Sequence, residues 1–183
     1  MSAGWSWAFD TPFSWFKQNA SALGGVNQNM VVSWPARIKD KGGLREQFVH
    51  VIDVVPTILE AAGIKAPEMV DGIKQAPIEG TSFAYTFDAK NAKVATRHKK
   101  QYFEMMGQWA LYDDGWFLST KVNRAPWEAF GPANPDPLNK QVLELYNLNE
   151  DFSQTVDLAA KYPARVKEMK AKFIAEAKKY QVF

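Results

Sequence analysis

Cysteine is absent from the 183 residues. That excludes disulfides, thiolate metal sites and any cysteine-derived nucleophile, and it leaves the compartment open. Histidine is nearly absent too, with only His50 and His98. No apolar run reaches the roughly 20 residues that cross a bilayer. The opening MSAGWSWAFDTPF lacks the basic start and continuous apolar stretch of a signal peptide. Charge of one sign is lacking as well: the net charge of +2 gives no basic patch for a nucleic-acid partner. The composition therefore points to neither a nucleic-acid nor a membrane partner. There are no internal repeats.

Aromatic residues are plentiful, at 14% of the chain with 7 Trp, 6 Tyr and 12 Phe. They predict a ring-rich core, with some rings free to line a pocket for an aromatic or sugar ligand. The hydrophobic fraction of 46% is ordinary, and the length suits one good domain or one and a half small ones.

Residues 1–29 read as a mobile loop with a short helix near 13–18. Met30-Val31-Val32-Ser33-Trp34 is apolar on both faces, as a buried strand would be, and Pro35 stops it. A basic, Gly-containing loop follows from Arg37 to Arg45. Asp53 is a candidate N-cap for a helix with Pro56 in its first turn and Gly63 just past its end. That helix is expected to bury Val55, Ile58, Leu59 and Ala62. Residues 64–97 read as turns, one short helix near 82–87 and a polar linker. The run Arg97-His98-Lys99-Lys100 reads as a solvated edge. Strands are predicted at 101–106, 109–113 and 116–122, with Asp113-Asp114-Gly115 as a hairpin signal. A Pro-rich loop, 125–137, leads to a fourth strand at 142–148. Pro163 opens a last helix whose Val166, Met169, Phe173, Ala177 and Tyr180 fall at steps of three and four, one apolar stripe for that sheet.

The order Gly24-Gly25, apolar strand, Trp34-Pro35, then His50-x-x-Asp53-x-x-Pro56-Thr57, then Ala62-Gly63, resembles the late part of the sulfatases, in the alkaline-phosphatase-like superfamily. Glu79-Gly80-Thr81-Ser82, Gln101 to Gly107, Asp114-Gly115-Trp116 and Leu143 to Leu148 with Asp157-Leu158-Ala159 extend the resemblance along most of the chain. It is most similar to the bacterial arylsulfatases. The resemblance implies an α/β fold: the end of a mixed large sheet with flanking helices, then a small antiparallel four-stranded sheet packed on a C-terminal helix. It implies two regions, 1–97 from the catalytic α/β domain and 98–183 as the C-terminal subdomain.

Sulfate-ester hydrolysis needs a nucleophile, a cation on the sulfate oxygens and positive groups for the developing charge. The family's nucleophile is a formylglycine made from cysteine, and its cation is calcium held by Asp and Asn oxygens. Both are expected in a front half that is not in this chain, so no cofactor is assigned here. Asp113-Asp114 is a hairpin turn rather than a metal pair. The resemblance implies that Lys17, seven residues before Gly24, contacts the sulfate as a point charge. It also points to Tyr102, Met105, Met106 and Trp109 as walls of the leaving-group pocket. Two places depart from the family: Asn27 stands where an arginine is common, and so does Trp109. His50 and Asp53 read first as a packing residue and a cap, with acid–base work as the alternative. Asn19-Ala20-Ser21 fits the glycosylation sequon.

The expectation is thus a C-terminal portion of an arylsulfatase-like hydrolase, with a sulfate ester as substrate of the full-length parent and a missing N-terminal catalytic half as partner. A periplasmic or secreted parent fits that family. The alternative is a non-catalytic binding or interaction module derived from a sulfatase. Phosphodiesterases and phosphonate hydrolases share the same segment, but the Leu145-Tyr146-Asn147-Leu148 tail favours sulfatase.

Overall fold

The computed structural model describes residues 2–122, 136 and 138–182. Most of the expected loop at 125–137 lies outside these residues. Contacts divide the chain into two compact units, one of residues 1–29 with 100–183 and one of residues 30–99.

The first unit is built on an antiparallel sheet of β3 (Lys100–Met105), β4 (Gln108–Asp113), β5 (Trp116–Thr120) and β6 (Leu143–Asn147), in sequential order. Two tight turns set its register. Met106-Gly107 and Asp114-Gly115 each place both residues at positive φ, the backbone that matches the twist of a two-residue hairpin. Met105 then pairs with Gln108, and Asp113 with Trp116. Alternation sends Trp109, Leu111, Leu118 and Leu145 to one face, where they meet Met169, Phe173 and Ala177 of α4 (Pro163–Lys179). The Trp109 and Phe173 rings stack at 4.1 Å. The expected small sheet packed on a C-terminal helix is therefore present, and the stripe on α4 is its reason. The opposite face holds Ala110, Phe117 and Ser119, also buried.

The N-terminal residues differ from the expectation. The helix is α1 (Ala3–Asp10), and 13–18 forms no helix, with a turn only at 17–18. Residues 19–23 are buried rather than loose. The Leu23 N–H donates to Gln154 Oε1 at 2.6 Å, and Phe13 meets Phe152 edge-on at 5.5 Å. The sequon is enclosed, with Asn19 1% exposed and its amide donating to Phe16 O.

The second unit holds α3 (Val54–Ala62), the short ribbon β1 (Met69–Val70) and β2 (Ile73–Lys74), and single 3₁₀ turns at Val51–Asp53, Ala84–Phe87 and Ala89–Asn91. Gly63, at φ 68, ends α3 as expected. The ribbon was not expected, although Asp71-Gly72, both at positive φ, is its turn signal. Two other expectations fail. Met30–Trp34 forms no strand and is exposed throughout. A strand needs a neighbour to satisfy its N–H and C=O groups, and the described residues place none beside it. Val55 and Ile58 are 52% and 59% exposed rather than buried, Ala62 is exposed and Leu59 only partly covered, because the side of α3 that carries Thr57, with Asp53 just before it, turns inward. Among the described residues no helix is long and apolar enough to cross a membrane.

Candidate functional site

Lys17 sits exposed on the turns between α1 and α2 (Leu23–Val26). The glycine pair shapes that segment. A Cβ on Gly24 would lie 2.0 Å from Trp15 O and 2.6 Å from Phe13 Cβ, and one on Gly25 would lie 2.1 Å from Asn19 O. Only glycine lets α2 fold so closely onto 13–19, and this leaves Lys17 on the outside of a tight loop. At Asn27, the place of the missing arginine, the backbone N–H closes the turn onto Leu23 O at 2.6 Å. Asp10 lies against Gly24, and burial raises its carboxyl above the usual range.

The other nominated residues do not form one cluster. Tyr102 is half-buried and stacks on Tyr180 of the α4 end at 5.4 Å; burial, then Tyr180, push its hydroxyl pKa up. Met105 and Met106 are exposed at the β3–β4 turn. Trp109 is 0% exposed in the sheet–helix core and offers no surface to a ligand.

The most connected polar centre lies in the second unit; the sequence reading offered His50 and Asp53 as a packing residue and a helix cap, but the Asp53 side chain makes no cap bond to α3 and its union with His98 was not foreseen. Asp53 is 0% exposed. Its Oδ2 accepts the His50 N–H at 2.8 Å and its Oδ1 the Thr81 N–H at 2.7 Å. The His98 Nδ1 lies 2.8 Å from both oxygens. One turn on, Thr57 Oγ1 donates to Asp53 O at 2.6 Å and accepts the Phe83 N–H at 3.0 Å. Gly80 completes the fit, since a Cβ there would lie 2.0 Å from Ile52 O. The His50–Asp53–Thr57 spacing and the Gly80-Thr81-Ser82 turn are thus two halves of one buried clasp. His98, expected on a solvated edge, is 8% exposed and supplies its third arm. Burial lowers the pKa of His50 below the ordinary value; the nearby His98 adds to this, and Asp53 opposes it. With its oxygens engaged and out of water, Asp53 has the features of a structural acceptor rather than a base.

Among the described residues no group of three or more His, Asp or Glu could hold a metal. Asp113 is bound by Lys172 at 2.6 Å. An open groove of about 900 Å³ in the second unit is lined by Trp34, Phe87, Arg37, Lys39, Glu60 and Asp88. Its charges are of both signs and give no preference for an anion.

Comparison with known proteins places these features. The family described as N-sulphoglucosamine sulphohydrolase, C-terminal, matches residues 12–107, which contain Lys17, the glycine pair and the whole clasp. An ulvan-active sulfatase of Formosa agariphila is 41% identical over 54 residues, 30% of this chain and 11% of that protein. A Bacteroides thetaiotaomicron structure, described with the metabolism of multiple glycosaminoglycans, matches 88% of this chain with a TM-score of 0.59 at 18% identity. That likeness is one of fold, and the chain covers 31% of that structure's length.

Proposed function

The chain belongs to the N-sulphoglucosamine sulphohydrolase C-terminal family of the sulfatases, and from that premise we propose that it is the C-terminal portion of an arylsulfatase-like sulfuric ester hydrolase. The reaction of the whole enzyme is the hydrolysis of a sulfate ester to an alcohol or phenol and sulfate. The observation that carries the reading is the family match across 12–107 together with the residues it contains. Residues 1–97 are assigned to the end of the catalytic α/β domain and 98–183 to the C-terminal subdomain.

This chain contributes positioning and charge rather than the nucleophile, since it has no cysteine from which formylglycine could be made. Lys17 is the group assigned to the sulfate. Its ammonium is a compact, strongly hydrated charge with three donors, suited to a tetrahedral anion. The Gly24-Gly25 turn holds it outward on a short loop. Met105 and Met106 are assigned to the leaving-group side, where flexible thioethers adapt to varied apolar shapes. Tyr102 supports that edge of the sheet. Calcium and formylglycine are assigned to the catalytic half.

The test is turnover of a chromogenic aryl sulfate by this chain co-expressed with the catalytic portion of a related sulfatase. Lys17→Ala should lower kcat/KM by roughly 10²-fold, the usual size of a lost charge contact at a reacting centre. Unchanged kcat/KM in that variant would remove Lys17 from the reaction.

A further inference from the structure

The small net charge of the chain conceals an uneven distribution. Residues 161–183 carry a net charge of +5 and residues 1–160 a net charge of −3, for +2 in all. Most of the C-terminal excess lies on α4, whose apolar stripe is packed on the sheet. The two flanks beside that stripe differ. On one, the charges are neutralised: Lys172 pairs with Asp113 at 2.6 Å and with Glu168 at 2.8 Å, and Glu176 pairs with Lys100. The other carries Lys167, Lys170 and Lys178. Lys167 and Lys178 are three turns apart and point the same way within about 20°, and Lys170 is one turn on from Lys167. No Asp or Glu of α4 lies on that flank, and among the described residues none of the three lysines forms an ion pair. Lys170 reaches only Asn139 Oδ1, at 3.5 Å. Lys167 and Lys178 are exposed, and Lys170 is half-buried.

We propose that this flank of α4 is a binding row for a sulfated polysaccharide, held by the Lys167, Lys170 and Lys178 ammoniums. Charge complementarity selects an anionic occupant. An ammonium is a point charge with three rotatable donors, which suits sulfate oxygens without demanding one geometry. The row is about 16 Å long, at 1.5 Å per residue. A single sulfate is too small to engage all of it, whereas a chain with anions on successive sugars spans it. Release of the counterions condensed on such a chain favours binding, as on any dense polyanion. A membrane surface is a poorer fit, because a surface helix inserts its apolar face and that of α4 is buried against Trp109, Leu118 and Leu145. The choice of a sulfated chain over other polyanions rests on the reading of the protein as a sulfatase portion.

The experiment measures binding of fluorescein-labelled dextran sulfate to the full chain by anisotropy, across roughly 50–200 mM salt. Unsulfated dextran, a double-stranded DNA oligonucleotide and equimolar phosphatidylcholine–phosphatidylserine vesicles serve as comparison ligands. Dextran sulfate is expected to bind most tightly, with an affinity that falls as salt rises. Lys167→Gln with Lys178→Gln should weaken that binding about tenfold and lower the slope of log affinity against log salt by about one to two. Lys65→Gln with Lys93→Gln, the same change in net charge at exposed lysines elsewhere, should do neither. Far-UV circular dichroism checks that each double variant still folds. No binding of dextran sulfate by the wild-type chain would overturn the proposal, as would equal weakening by the two folded double variants. Equal or tighter binding of dextran, DNA or vesicles would give the row a different occupant and also overturn it. Dextran sulfate binding that depends on Lys167 and Lys178, without aryl sulfate turnover by the chain co-expressed with a catalytic portion, leaves the row standing and rejects the functional reading instead.

Discussion

Asp53→Ala is the substitution that most directly probes the clasp. The carboxylate is wholly buried and accepts from the backbone of His50 and Thr81 at 2.8 and 2.7 Å, with His98 Nδ1 at 2.8 Å. Hydrogen bonds to a charged group contribute about 1.5–3 kcal/mol each, and stranding a buried donor costs about 1–3 kcal/mol. Three contacts would be lost at once. The two backbone N–H groups are only part-buried and regain some water, and the variant no longer bears the desolvation of the charge. The balance is a loss of about 3–5 kcal/mol, the usual cost of breaking a buried pair. Asp53→Asn keeps the shape but turns one acceptor into a donor, so it should cost nearly as much. Urea unfolding gives the stability, and hydrogen exchange at the Thr81 and His50 amides localises it. A loss under about 1 kcal/mol with the Thr81 amide still protected would refute the clasp.

Phe173→Ala should cost about 3–5 kcal/mol in urea unfolding, since the ring is fully buried and stacked on Trp109. Gly24→Ala should cost about 1–3 kcal/mol, because its Cβ would fall 2.0 Å from Trp15 O; loss of exchange protection at the Leu23 amide would report it. Burial holds the folded-state pKa of His50 below the ordinary value of about 6.5, so the unfolded chain binds that proton first. The resulting stability is complete above about pH 6.5 and declines as pH falls below it towards the folded value; His50→Gln should flatten that decline in pH-dependent urea midpoints.

The sheet and its helix were legible because local signals and burial agree there. Asp114-Gly115 is a turn signal on its own, and the α4 stripe meets a sheet built from the next-nearest sequence. Residues 30–62 defeated the same reasoning for the opposite reason. The apolar patterns of Met30–Trp34 and of α3 predict burial, but what would bury them is not supplied by the neighbouring chain. His98 was hidden by its sequence neighbours: three basic residues suggest solvent, while its burial is fixed by Asp53, 45 positions away. For the candidate site, the glycine pair and the His50-x-x-Asp53 spacing were visible as patterns. Their reasons, a backbone approach at Gly24 and Gly25 and a shared carboxylate at Asp53, are three-dimensional. Trp109 shows the limit of counting rings, since its alternation parity and the α4 stripe put it in the core.

The most direct measurement is turnover of a chromogenic aryl sulfate by the purified chain alone, with calcium present and heat-inactivated protein and a full-length sulfatase as controls. The account predicts no turnover above the inactivated protein. Turnover clearly above it, lost on Lys17→Ala, would mean that this cysteine-free chain hydrolyses sulfate esters itself, and would contradict the assignment of the nucleophile to a separate catalytic half.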